Sequence, residues 1–70
     1  MIALEQSIID SIYKLRKEKG LTQKDLAKVL GVSTSFVGNV ENRNNPSKYS
    51  IKHIDIVAKY FKISPYELFI

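Results

Sequence analysis

The sequence predicts an all-α protein, a compact five-helix bundle with residues 1–70 forming a single domain. Three observations carry that reading. Apolar residues recur at intervals of three and four rather than two. The β-branched residues follow the same helix period, and no strand-like alternation appears. Glycine and proline divide the chain into helix-length pieces, and Thr22, Ser33, Ser50 and Ser64 stand where new pieces begin. The helices are expected over residues 3–19, 22–30, 34–41, 51–61 and 65–69.

The first helix is read from Leu4, Ile8, Ile12 and Leu15, one stripe with polar residues between. Lys17 and Lys19 suit the negative end of its dipole, and Gly20 suits the left-handed residue that closes it. Thr22 opens the second helix, with Asp25 three residues on as a capping partner. Leu26, Ala27, Val29 and Leu30 supply its apolar side, and Gly31 ends it. Ser33 caps a short third helix whose inner face is Phe36, Val37 and Val40. Residues 42–49, NRNNPSKY, have loop composition, and Pro46 disfavours helix at Asn45. Ser50 caps the fourth helix, with Ile51, Ile54, Val57, Ala58 and Phe61 on one stripe. Ser64, Pro65 and Glu67 form the start signal of a short fifth helix. Tyr60, Phe61, Tyr66, Leu68 and Phe69 are expected to close the core, leaving an apolar edge with Ile70 that suits a dimer seam.

Composition excludes several classes of function. Seventy residues leave room for one small domain. There is no cysteine and only one histidine, so disulfides, thiolate zinc sites and histidine cages are ruled out. No apolar run is long enough to span a membrane, and the start, MIALEQSIID, lacks the basic residues of a signal peptide. A cytoplasmic, nucleoid-associated protein is expected. No phosphate loop, nucleophile motif or metal motif occurs. Asp10, Asp25 and Asp55 fall on separate helices, and His53 has no catalytic partner, which assigns it to the surface. The chain is therefore read as a non-enzyme with no cofactor, no metal and no small-molecule effector site. Eleven Lys+Arg against seven Asp+Glu give a net charge of +4. Its distribution matters more. Residues 1–13 carry no Lys or Arg, residues 14–28 carry five Lys and one Arg, and the stretch Arg43 to Lys52 contains no acid. Two basic zones thus flank the middle of the chain, as an anion-binding footprint requires.

The informative unit is Gln23 to Asn42, QKDLAKVLGVSTSFVGNVEN. Two short helices are joined by only Gly31, Val32 and Ser33, which forces a sharp corner. Ala27 is small where the backbones approach. Gly31 accepts the positive φ of the corner at little steric cost. Val32 plugs the corner, and Leu26, Leu30, Val37 and Val40 close its underside. With those residues inward, the third helix turns Thr34, Ser35, Gly38 and Asn39 outward. None is charged, and three have hydrogen-bonding side chains. Asn can bond bidentately to adenine, and Ser and Thr can meet several base edges.

From Leu15 to Leu68 the chain resembles the helix-turn-helix domain of the Cro and phage-repressor type, the XRE-like family. The resemblance rests on Leu15-Arg16-Lys17-Glu18-Lys19-Gly20-Leu21-Thr22-Gln23, Leu26-Ala27, Leu30-Gly31-Val32-Ser33 and Val40-Glu41-Asn42. It continues through Ile54 to Phe61 and the closing Ile63-Ser64-Pro65-Tyr66-Glu67-Leu68. It implies that the third helix enters the DNA major groove, with Thr34, Ser35, Gly38 and Asn39 at the bases. It further implies that Gln23 clamps a phosphate, and that Asn42, Arg43, Lys48, Tyr49 and Lys52 contact the DNA backbone. Arg16 and Glu41 are implied to form an ion pair orienting the third helix. The implied function is a sequence-specific, double-stranded-DNA-binding transcriptional regulator, a repressor acting as a homodimer on a palindromic operator. A protein-interaction module on the same scaffold, such as an antitoxin or adaptor, is the alternative. Two features depart from the family pattern. Gly38 stands where a larger polar residue is usual, and the loop after Asn42 lacks the usual glycine.

Overall fold

In the computed structural model, which describes residues 4–69, four α-helices are followed by a short 3₁₀ turn. They are α1 (Leu4–Glu18), α2 (Gln23–Leu30), α3 (Thr34–Glu41), α4 (Ile51–Phe61) and the terminal turn Pro65–Phe69. The all-α expectation holds. The fifth element, however, is a 3₁₀ turn and not an α-helix. A segment of five residues is too short to build an i→i−4 ladder, and the tighter i→i+3 pattern takes its place, as in the Glu67 N–H to Ser64 carbonyl bond at 3.0 Å. Residue 3, where the first helix was expected to begin, and Ile70 lie outside the described residues.

Start signals sit where the sequence puts them. The Thr22 hydroxyl accepts from Asp25 N–H at 3.1 Å, and the Asp25 carboxylate accepts from Thr22 N–H at 2.9 Å, completing a capping box. Donation from the Thr22 backbone N–H, and secondarily from its hydroxyl, favours the charged carboxylate and holds the Asp25 pKa below its ordinary value. Ser33 caps α3 by accepting from Phe36 N–H at 3.1 Å. Ser50 caps α4, and there His53 is the reciprocal partner: its Nδ1 accepts from Ser50 N–H at 3.1 Å.

Three helices end the same way. The amides of Leu21, Val32 and Ile63 reach back to the carbonyls of Arg16, Ala27 and Ala58 at 2.9, 3.0 and 3.0 Å. The residue before each amide is left-handed: Gly20 at φ 70, Gly31 at φ 72 and Lys62 at φ 58. The third is the surprise, because a lysine occupies a conformation that costs a side chain about 1–2 kcal/mol.

The core is built from Ile8 and Ile12 of α1, Leu26, Ala27 and Leu30 of α2, Val37 of α3, Ile54 and Val57 of α4, and Leu68 of the terminal turn. Leu15, Val32 and Phe61 pack around it. The buried stripe of α1 differs from the expected one. Ile8, Ile9, Ile12 and Arg16 are inside, whereas Leu4 is exposed. Residues 9, 12 and 16 share a face at spacings of three and four, so the apolar stripe ends in a charge that periodicity alone disguises. Ile51, expected on the inner stripe of α4, is 84% exposed. It is the first residue of the helix and overhangs the core. Of the five residues near the end expected to close the core, Tyr60, Tyr66 and Phe69 are exposed, Phe61 is half-buried against it, and only Leu68 is fully inside.

Candidate nucleic-acid interface

The Gly31 corner sets α3 across α2, burying Val37 fully and Val40 almost so. The opposite face is left free: Thr34, Ser35 and Asn39 are exposed. The four expected base-facing positions therefore share one face, but Gly38 is only half open. The Gln23 side chain lies over it, with Oε1 3.3 Å from where a Cβ on residue 38 would be.

Gln23 is part of a polar clasp that joins three helices. Arg16 Nε donates to Glu41 Oε2 at 2.8 Å, and Arg16 Nη2 donates to Glu41 Oε1 at 2.9 Å. This is the parallel two-bond geometry in which arginine and a carboxylate fit best. Arg16 Nη1 donates to the Leu21 carbonyl at 2.9 Å, and Gln23 Nε2 donates to Glu41 Oε1 at 3.0 Å. The side chains of Arg16 and Glu41 are each only 7% exposed. The ion pair is thus buried and hydrogen-bonded on both sides, as a desolvated pair must be. The Tyr13 ring lies beside it, 5.2 Å from the Arg16 guanidinium carbon.

Beyond α3 the expected phosphate contacts separate. Asn42 is the C-cap, and its Oδ1 accepts from Asn44 N–H at 3.0 Å, which turns the chain locally. Arg43 pairs with Asp10 of α1 at 3.2 Å, and both side chains are largely exposed. Lys48 and Lys52 are exposed, on either side of the α4 N-terminus. Tyr49 does not fit the role of phosphate contact in this conformation. Its hydroxyl is buried without a hydrogen-bond partner, and its ring packs edge-on against Phe36 and His53. Burial, with Glu41 nearby, holds the Tyr49 phenol far above its ordinary pKa. Tyr49 supports the start of α4 against α3 from inside.

Three supporting residues escape the sequence reading. Asp10 was noted only as an isolated acid, yet it anchors Arg43. The Leu21 carbonyl completes the Arg16 clasp. His53 reads as a surface residue, yet it caps α4 and packs at a tilt against Phe36, with ring centroids 5.4 Å apart. Its unusual place as the third residue after a serine cap is the only signal the sequence offers. Among the described residues no cluster of acids and histidine could hold a metal ion, and no helix is long and apolar enough to cross a membrane.

A short capped helix, buried on one side and polar on the other, leaving a glycine corner at its partner's end, defines a helix-turn-helix DNA-binding domain. The chain belongs to the helix-turn-helix family, whose model matches residues 12–68, and is of the XRE type. It is 42% identical over 55 residues to the HTH-type transcriptional regulator PrpR of Mycobacterium tuberculosis. That stretch covers 71% of this chain and 11% of PrpR, so the chain spans about a tenth of that regulator's length. In structure it is similar to the N-terminal DNA binding domain of SinR from Bacillus subtilis, with a TM-score of 0.69 and 33% identity over 87% of each chain. The family is non-enzymatic.

Proposed function

We propose that the chain regulates transcription by reading a specific double-stranded DNA sequence, with α3 seated in the major groove. The observation that carries this is the exposed, uncharged polar face of α3, whose other face is locked into the core. A rigidly held helix presents Asn39, Thr34 and Ser35 together, as direct readout needs. Asn39 is the strongest reader, since its amide can bond bidentately to adenine. Gln23, Asn42, Lys48 and Lys52 then supply contacts to phosphate, which position the domain without reading sequence. Arg43 joins them by exchanging its exposed partner Asp10 for a phosphate. With no Lys or Arg on the outward face of α3, strong guanine reading is not expected there. Two copies related by a two-fold axis would place their α3 helices about 34 Å apart on a palindromic operator.

The test is a selection of bound sequences from a random duplex library, followed by binding measurements on variants of the selected site. Asn39→Ala is expected to cost about 1–3 kcal/mol and to relax preference at one base step. Lys52→Ala is expected to weaken all sequences alike and to flatten the salt dependence. An interaction module on the same scaffold would instead show no duplex binding even at low salt.

A further inference from the structure

Gly38 is the one residue of the outward face of α3 that contributes no side chain, and glycine is a poorer helix former than alanine. The space it vacates is filled. Gln23 reaches across from the first turn of α2, so that its Oε1 lies 3.3 Å from the position a Cβ on residue 38 would take. Its Nε2 lies 3.0 Å from Glu41 Oε1. A carboxylate accepts only, so the amide nitrogen must face Glu41 and the amide oxygen must face Gly38. One Nε2 hydrogen is therefore committed to Glu41, and the other is left to donate elsewhere. Glu41 is itself held by two bonds from Arg16, buried alongside it. The Gln23 amide is thus held at one end by a buried carboxylate bound twice by Arg16 and laid in a notch at the other.

We propose that Gly38 is a positioning residue for DNA binding: its missing side chain leaves the notch that holds the Gln23 amide against Glu41, ready to donate its second hydrogen to a DNA phosphate. This rests on the DNA-binding reading above and adds to it a role for Gly38 through Gln23. Any side chain at residue 38 moves Gln23. At 3.3 Å the new Cβ crowds Oε1, so the amide must give by a few tenths of an ångström, which draws Nε2 out of line with Glu41. A shifted amide no longer offers its second hydrogen in the preset direction, which weakens affinity without removing any DNA-contacting atom.

The experiment is a double-mutant cycle of Gly38→Ala and Gln23→Ala, read by duplex binding, thermal melting and the NMR resonances of the Gln23 side-chain amide in free protein. Gly38→Ala is expected to raise the melting temperature by about 4 °C. It is expected to shift the Gln23 amide resonances and to weaken duplex binding by about threefold to tenfold. In the Gln23→Ala background the same substitution should change affinity by less than about twofold. A simply structural role would move stability and affinity in the same direction, so the opposed signs are diagnostic. The proposal is overturned if Gly38→Ala leaves affinity and the Gln23 resonances unchanged. It is equally overturned if the loss is as large without Gln23, because Gly38 would then serve only close approach of the helix to DNA. If the parent chain binds no duplex at low salt, the DNA-binding reading itself fails. That result differs from a parent that binds and an additive cycle.

Discussion

Two arginine–carboxylate pairs tie α1 to the end of α3 and the loop just beyond it, and they differ in almost every physical respect. Arg16 and Glu41 meet at 2.8 Å with side chains 7% exposed, and Leu21 and Gln23 satisfy their remaining groups. Arg43 and Asp10 meet at 3.2 Å with side chains 67% and 43% exposed. The same two functional groups therefore do different jobs. The buried pair is desolvated already and has no cheaper partner, so it fixes where α3 sits. The exposed pair competes with water and salt at every moment. It can give up Arg43 to a phosphate with little loss of fold. Burial, rather than charge, separates an orienting contact from an exchangeable one.

The sharpest way to break this contrast is to remove one buried partner. Glu41→Ala leaves the Arg16 guanidinium buried without its counter-ion, and a loss of about 3–5 kcal/mol is expected in denaturant unfolding. Replacing both residues by apolar ones, Arg16→Met with Glu41→Leu, should restore most of that stability while degrading DNA affinity. A double variant as unstable as Glu41→Ala alone would show that the ion pair itself, and not the stranded charge, carries the effect. Arg43→Ala is the smaller counterpart. It should change stability by about 0–1 kcal/mol, and that difference should vanish in about 1 M salt. A salt-insensitive loss would mean that this pair is as structural as the other.

A pH scan isolates a third support of α3, the Phe36, Tyr49 and His53 cluster. Partial burial, and secondarily Lys52, depress the His53 pKa below its ordinary 6.5. The neutral ring is also the form whose Nδ1 accepts from Ser50 N–H. The stabilisation from neutral His53 is therefore complete above about pH 6.5 and is lost as pH falls through the depressed folded value. A modest drop in melting temperature between pH 8 and pH 5 is expected, and His53→Gln should flatten it. An unchanged slope in that variant would place the pH dependence elsewhere.

Much of this was legible in the residues. Caps at Thr22, Ser33 and Ser50, and corners at Gly20 and Gly31, place the helices because capping chemistry is local to a few residues. The exposed face of α3 follows from which of its residues are apolar. The Arg16–Glu41 pair was reached only through family resemblance, since no local pattern connects residues 25 apart. What could not be read depends on side chains meeting across helices. Gln23 in the notch over Gly38, Tyr49 turned inward and Arg43 held by Asp10 are tertiary choices between partners of equal chemistry. Leu4 and Ile51 show the opposite failure. Both obey helix periodicity, yet each stands at the first turn of its helix, beyond the reach of the elements that would cover it.

The lysine in the third of the otherwise alike helix corners has a consequence for the sequence of melting. Corners with the same hydrogen bonds differ in backbone strain, and strain at Lys62 falls at the hinge of the segment carrying Leu68. Heat should undo the chain from that end first, peeling the final turn off α1 while the glycine corner beneath α3 still holds. The corner at Gly31 and the polar face of α3 are thereby expected to keep their shape longest.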